Sequence, residues 1–398
     1  MKKYFKLIIA MAFLVIVLAA CGNGDDTDGG AAAGTDTATE TEVVQTPAAT
    51  ETDGDTETGE VTGEVNIRVA LLAHSDDSML DDNSFNQGAW DGITRFFESR
   101  GLNVMEHAMF FQPHEASDEA RIDLIEDAVR AGYDVLVLPG FHFEVALYDA
   151  QDIFPDTTFI LLDASPRHEG TGVRIEDNVV AIHYAEEEAG FLAGYAAVME
   201  GFRDLGFMGG AAVPAVVRFG HGFIQGAEHA ADELGLAAGE VSIDFTYLGG
   251  FAPTPERQAT AAAWFIGGTE VIFAAAGGAG GSVMAAADQG DGVVIGVDVD
   301  QAPLSNSVIT SAVKGLEISV YNMLTDINGG NFNGGQELRY DATITGVGLP
   351  MESSRFENFT QAQYDSIFSL LASGEIVVNA STDMGDITTT LVTVNEID

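Results

Sequence analysis

Residues 81–90 read DDNSFNQGAW, which sets carboxylates, amides and one phenylalanine between an apolar run and the start of a helical pattern. Acceptors, donors and a ring at one junction suit non-covalent capture of a polar molecule. Three later stretches repeat this chemistry: Tyr247-Leu248-Gly249-Gly250-Phe251, Ala276-Gly277-Gly278-Ala279-Gly280-Gly281 and Gly296-Val297-Asp298-Val299-Asp300-Gln301. Rings such as Phe85 and Phe251 can stack on a flat ligand, carboxylates accept hydrogen bonds from hydroxyl groups, and glycines allow the backbone to approach closely. The set fits a flat polar ring that carries hydroxyls.

Covalent chemistry has weaker support. His74-Ser75-Asp76-Asp77 with Asp81-Asp82 resembles the aspartate cluster by which nucleoside hydrolases hold calcium, and oxygen-rich clusters suit hard cations. Those acids sit in a loop that is polar throughout, however, without the fold such an enzyme needs. The eight histidines, at 74, 107, 114, 142, 168, 183, 221 and 229, show no close ligand pairing, and the folded part has no cysteine to join them in a zinc site. No Gly-x-Ser-x-Gly elbow is present. The GGAGG run lacks the Gly-Lys-Ser/Thr of a phosphate loop. We expect no catalytic residue, no metal and no cofactor.

Short β-branched runs alternate with amphipathic stretches and must position these loops. Strands are expected at Ile67–Ala73, Asn103–Met109, Val135–Pro139, Thr158–Asp163, Asp204–Met208, Ser242–Tyr247, Val271–Ala275 and Val293–Val297. Helices are expected at Trp90–Ser99, Asp118–Ala131, Glu186–Glu200, Gly222–Leu234, Glu256–Ile266 and Gly281–Asp288. Repeated βα units predict parallel sheets covered on both faces. The pattern restarts after the helix that ends at Glu200, which favours two similar lobes over one closed barrel. Ligands of open parallel sheets bind outside the carboxyl ends of the strands, where the four polar stretches fall.

Charge narrows the partners. The 398 residues carry 16 Lys+Arg against 62 Asp+Glu, a formal net charge of −46. Such a surface repels polyanions, which argues against DNA, RNA and free nucleotides. A transcription regulator would need a basic DNA-binding head, and none is visible. At the N-terminus, Lys2, Lys3 and Lys6 precede an apolar run from Leu7 to Leu18 and the sequence Leu18-Ala19-Ala20-Cys21. This resembles a bacterial lipoprotein signal, which implies cleavage after residue 20 and lipid on Cys21, the only cysteine. The apolar run of about 14 residues falls short of the ~20 that span a bilayer. Residues 21–64 are rich in Gly, Ala, Thr, Asp and Glu, too polar to bury a core, and read as an acidic disordered tether.

DDNSFNQGAWDG, AEEEAGFLAGYAA (185–197), VVRFGHGFIQGAEHA (216–230), VIFAAAGGAGG (271–281), IGVDVDQ (295–301) and VITSAVKG (308–315) together resemble the basic membrane protein family, the substrate-binding lipoproteins of ABC transporters. The resemblance runs in order from about residue 66 to 350. It implies a type I periplasmic-binding-protein fold of two doubly wound parallel-sheet lobes, with residues 65–183 and 312–340 in one lobe and 184–311 and 341–398 in the other. It further implies a monomer on the outer face of the cell membrane. There it would close on a nucleoside, a purine nucleoside for preference, and pass it to a membrane permease; a sugar is the alternative ligand. Carried over by position, Phe85 and Phe251 would sandwich the base, and Asn86 would hydrogen-bond beside it. Asp163 would read the base edge, Asp298 would accept from ribose hydroxyls, Lys314 would donate to the sugar, and Gly278 would offer backbone. The chain departs from the family after Phe251, where an acidic residue and a Lys-Gly pair are usual and Ala252-Pro253-Thr254-Pro255-Glu256-Arg257 stands instead. Bland roles compete: a phenylalanine opening a helix can anchor a core, loop aspartates can form Asx turns, and Lys314 can make an ion pair.

Overall fold

The run Val-Ala-Leu-Leu at Val69–Leu72 is apolar at every position and wholly buried, the signature of a strand covered on both faces of a parallel sheet. In the computed structural model, which describes residues 65–75 and 79–397, this strand is β1. It is followed by β2 (Ala108–Phe111), β3 (Val135–Pro139), β4 (Thr158–Leu162), a short hairpin β5 (Arg167–His168) and β6 (Gly172–Val173), and β7 (Val179–Tyr184). Helices α1 (Phe85–Glu98), α2 (Val104–His107), α3 (Asp118–Arg130) and α4 (Glu144–Ile153) lie between them. The second half contains α5 (Glu186–Glu200), β8 (Asp204–Gly209), α6 (Pro214–Glu233), β9 (Val241–Tyr247), α7 (Pro255–Gly267), β10 (Val271–Ala275), α8 (Gly280–Gly290), β11 (Val293–Asp298) and β12 (Val308–Lys314). The chain ends with α9 (Leu316–Asn328), β13 (Gln336–Tyr340), β14 (Val347–Gly348), α10 (Gln361–Ala372) and β15 (Val392–Glu396).

Two sheets result. One has the order β13-β7-β4-β3-β1-β2 and the other β14-β12-β11-β10-β8-β9-β15. All pairings in them are parallel except β12 with β14. The core of the second sheet thus repeats that of the first, with β8, β9, β10, β11 and β12 in the places of β1, β2, β3, β4 and β7, while β15 has no counterpart and β14 runs antiparallel. In each lobe the order reverses between the first and third strands of the unit, and the loops there diverge to leave a crevice.

The chain crosses between lobes three times: after Tyr184, after Lys314 and after Tyr340. Backbone bonds tie the crossings together, from Ala185 N to Tyr340 O at 3.0 Å and from Gly315 N to Gly346 O at 2.8 Å. Strand β12 stays whole in the second sheet, so the second crossing falls at Gly315; a boundary at 312 would cut through a hydrogen-bonded strand. Asn103–Met109 also departs from expectation. Asn103 accepts from Met105 N and caps the one-turn helix α2, and the strand begins only at Ala108.

Helix α5 is buried on nearly every side, as its apolar character all round predicts. It packs on α6 through glycines. A Cβ on Gly190 or Gly194 would meet the carbonyls of Phe219 or Phe223 at 2.1 and 2.0 Å, and one on Gly222 or Gly226 would meet those of Glu187 or Phe191 at 2.0 and 1.9 Å. The two backbones touch because both GxxxG faces lack side chains.

Candidate ligand-binding cleft

Cavity-lining residues from both lobes enclose about 730 Å³ and include all seven expected site residues: Phe85, Asn86, Asp163, Phe251, Gly278, Asp298 and Lys314. Cys21, Asp76 and Asp77 lie outside the described residues.

Asp163 follows β4 and Asp298 ends β11, equivalent places in the two sheets, and both adopt the left-handed region, at φ 59° and 68°. Aspartate tolerates that region better than most residues. The turn aims both carboxylates at Lys314, which ends β12. Its Nζ lies 2.6 Å from Asp163 Oδ2, 3.2 Å from Asp298 Oδ1 and 3.9 Å from Glu186 Oε1. The ammonium also stands 4.4 Å from the centre of the Phe85 ring and 5.4 Å from that of Tyr184, which favours a cation over each π face. Ser84 Oγ donates to Asp298 Oδ2 at 2.6 Å, and Gln301 Nε2 donates to Asn83 O at 2.8 Å. Three polar contacts therefore cross the cleft, Lys314 to Asp163, Ser84 to Asp298 and Gln301 to Asn83, beside the approach of Lys314 to the Phe85 ring.

Electrostatics follow from burial. Removal from water pulls the Lys314 pKa down, but Asp163, Asp298 and Glu186 outweigh this and hold it above the ordinary range. Burial pushes the Asp163 carboxyl up against the pull of Lys314, and its Oδ1 is buried with no hydrogen-bond partner. That orphaned oxygen points to a missing polar group. Burial also raises Glu186, but Arg218 and Lys314 bring it below its usual value; Arg218 Nε lies 2.7 Å from Glu186 Oε2.

Other residues have structural duties. Asp82 caps α1, its Oδ1 accepting from Ser84 N at 2.9 Å and Gln87 N at 3.0 Å and its Oδ2 from Asn86 N at 3.0 Å. Asn86 spends its Nδ2 on Met79 O at 2.9 Å, which leaves its Oδ1 for the cavity. Phe251 rides on glycines: a Cβ on Gly210 would lie 2.4 Å from its ring, and one on Gly277 3.5 Å. Gly278 is placed beside it, a Cβ there falling 3.2 Å from Phe251 O. Among the described residues no group of three or more His, Cys, Asp or Glu could hold a metal ion, and no helix is long and apolar enough to cross a membrane. Sequence reasoning missed Ser84, Tyr184, Glu186 and Gln301, whose partners are 128 to 218 residues away; only the run of three glutamates opening α5 gave a signal.

Two parallel-sheet lobes, crossed three times by the chain and facing each other over a polar cavity, define a type I periplasmic-binding-protein fold. A solute-binding protein of an ABC transporter system from Aeropyrum pernix shares it, with a TM-score of 0.66 and 24% identity over 80% of this chain and 95% of that one. One from Conexibacter woesei matches with a TM-score of 0.60 and 22% identity over 79% and 99%. Residues 69–382 match the Bmp family, described as ABC transporter substrate-binding protein PnrA-like, and the chain belongs to that family. Among its relatives, the ABC transporter nucleoside-binding protein BmpA of Lactococcus lactis is 27% identical over 74% of this chain and 85% of its own length. Basic membrane protein B of Borreliella burgdorferi is 28% identical over 73% and 82%. A lipoprotein of Pyrococcus horikoshii is 28% identical over 71% and 68%.

Proposed function

We propose that this protein is the nucleoside receptor of an ABC importer, with purine nucleosides as the preferred ligands. It would be anchored through lipid on Cys21, hold its ligand by closure of the two lobes and present the closed form to a membrane permease. The observation that carries the reading is the convergence of Asp163 and Asp298, from opposite lobes, beside the face of Phe85. A ring stacked on Phe85 and Phe251 would lie with its hydroxyl-bearing end among acceptors. The orphaned Asp163 Oδ1 and the free Asn86 Oδ1 are natural partners for such a ligand. Lys314 would act chiefly by holding the two aspartates, since protein carboxylates already occupy it. The nucleoside-binding relative from Lactococcus lactis and the lipoprotein relative from Pyrococcus horikoshii support the ligand class and the anchor.

The test is titration calorimetry on the full chain in mild detergent, stripped of carried ligand by unfolding and refolding. Adenosine, guanosine, inosine, cytidine, uridine, free bases, ribose and simple sugars form the panel. Submicromolar binding of purine nucleosides with no product on incubation is expected. Preference for a sugar would overturn the ligand class, and release of free base would make the protein a hydrolase.

A further inference from the structure

The loop after β3 carries a ring that the reading above does not use. Gly140, at φ 96°, turns the chain at the crevice between β1 and β3, and Phe141, His142 and Phe143 follow in a single 3-10 turn. The His142 imidazole lies flat on His74, centroids 4.4 Å apart and planes 5° apart, and against Phe141 at 3.9 Å. His74 comes from the loop after β1, and its carbonyl is held by the buried Arg121, whose Nε donates to it at 2.7 Å and whose Nη1 pairs with Asp118 at 2.8 Å. His74, Arg121, Phe141 and His142 all line the cavity. Rings therefore fix the orientation of His142. Among the described residues neither of its ring nitrogens has a protein hydrogen-bond partner.

Position along the cleft gives this imidazole a task. Lys314 Nζ lies over the Phe85 ring, while a Cβ on Gly140 would lie 3.7 Å from Phe85 Cε1. Phe85 thus separates the carboxylate end of the cavity from the His142 end. A ligand stacked on Phe85 with its hydroxyls toward Asp298 would extend its other edge toward the β3 loop. Burial, with His74 and Arg121 close by, lowers the His142 pKa to about 3, so the ring is neutral and offers one donor and one acceptor.

We infer that His142 is a specificity-determining residue, hydrogen-bonding through its unpartnered ring edge to the uncharged heteroaromatic edge of a base stacked on Phe85. This rests on the nucleoside reading and adds to it where the base is read and by which chemistry. Discrimination at a hydrogen-bonded edge is large, because the wrong ligand leaves a buried polar group unpaired.

The experiment is a double-mutant cycle on the full chain. His142→Phe keeps a ring in the stack and removes both nitrogens, and His142→Asn keeps a donor and an acceptor. Each is titrated with the best nucleoside of the panel and with its deaza and deamino analogues, which lack one edge group each. The wild type should lose roughly 10-fold or more with one analogue, and His142→Phe should lose a similar factor with the parent nucleoside and nothing further with that analogue. His142→Asn should recover part of the ranking. Equal affinity and unchanged ranking in His142→Phe would overturn the inference, and so would a uniform loss across all analogues, which marks a structural role. If the wild type bound no nucleoside, the functional reading itself would fall; retained nucleoside binding with no coupling would sink His142 alone.

Discussion

Lys314 and Asp163 stand 2.6 Å apart although the lysine ends a strand of one sheet and the aspartate follows a strand of the other. The pair joins the lobes directly, and it is almost wholly withdrawn from water. A charge pair in that position depends on its further partners as well as on its own contact, and here Asp298 and Glu186 also face the ammonium.

Removing the cation should therefore be costly. Lys314→Met would leave Asp163, Asp298 and Glu186 facing one another without an ammonium, and loss of one partner of a buried pair typically destabilises by about 3–5 kcal/mol. The urea midpoint should fall accordingly. The deficit should be smaller at pH 5 than at pH 8, because the stranded carboxylates can then neutralise themselves with protons.

Asp298→Asn probes the other lobe. Asparagine tolerates the left-handed turn and still accepts from Ser84, so the fold should survive. Loss of a charge-assisted acceptor should weaken nucleoside binding by on the order of 10-fold in calorimetry. Unchanged affinity in the folded variant would remove Asp298 from the ligand's hydroxyls.

Stability should fall as pH rises from about 4 to 7. Burial, only partly offset by backbone amides, raises Asp82 to about 6, burial raises Glu188 to about 7, and burial raises Asp163 as well. Each binds more protons folded than unfolded across that window, so stability present at low pH is lost as pH passes through the folded values. The net charge of −46 acts in the same sense. Glu186 and Glu228 have lowered values and take stability away only below the ordinary glutamate range, while His142, lowered by burial to about 3, and His183, lowered by burial, work in the opposite sense up to the ordinary imidazole range and are outnumbered by the raised carboxyls. Thermal midpoints should therefore peak near pH 4 and decline toward pH 8; a rise over that range would contradict the assignments.

The α5–α6 contact gives a purely structural expectation. Gly226→Ala would press a methyl group onto the Phe191 carbonyl, and backbone cannot rotate away as a side chain can. A loss of about 1–3 kcal/mol or more is expected in chemical unfolding. Gly281→Ala, where a Cβ meets nothing within 4 Å, is the control.

Much of this was legible in the sequence because it is local. Helix α5 has the expected bounds, as a capped apolar run between acidic residues and a glycine at φ 119° should. Asp163, Asp298 and Lys314 lie at strand ends and Phe85, Asn86, Phe251 and Gly278 in the segments that follow strands, because parallel sheets put their loops there. Asn103–Met109 misled because Val104 and Met105 suit a strand by type, while the Asn103 cap decides for a helical turn. The cross-cleft partners of Asp298 and Asn83 left no trace, since Ser84 and Gln301 meet them only after both lobes have folded. His142 was dismissed for want of a nearby metal-ligand partner, whereas its neighbour His74 is a stacking partner brought in by the adjacent strand.

The two sheets present the same acid at the same turn but differ at the loop after their third strand. There one lobe supplies Phe141 and His142 and the other Gly277 and Gly278. On the nucleoside reading, ligand choice would be separable from ligand retention: exchanges in 141–142 would retune which base is accepted while the glycine half and the paired aspartates stay fixed. The cleft is in this sense a socket with one replaceable wall, which would let the protein diverge toward new ligands without passing through forms that bind nothing.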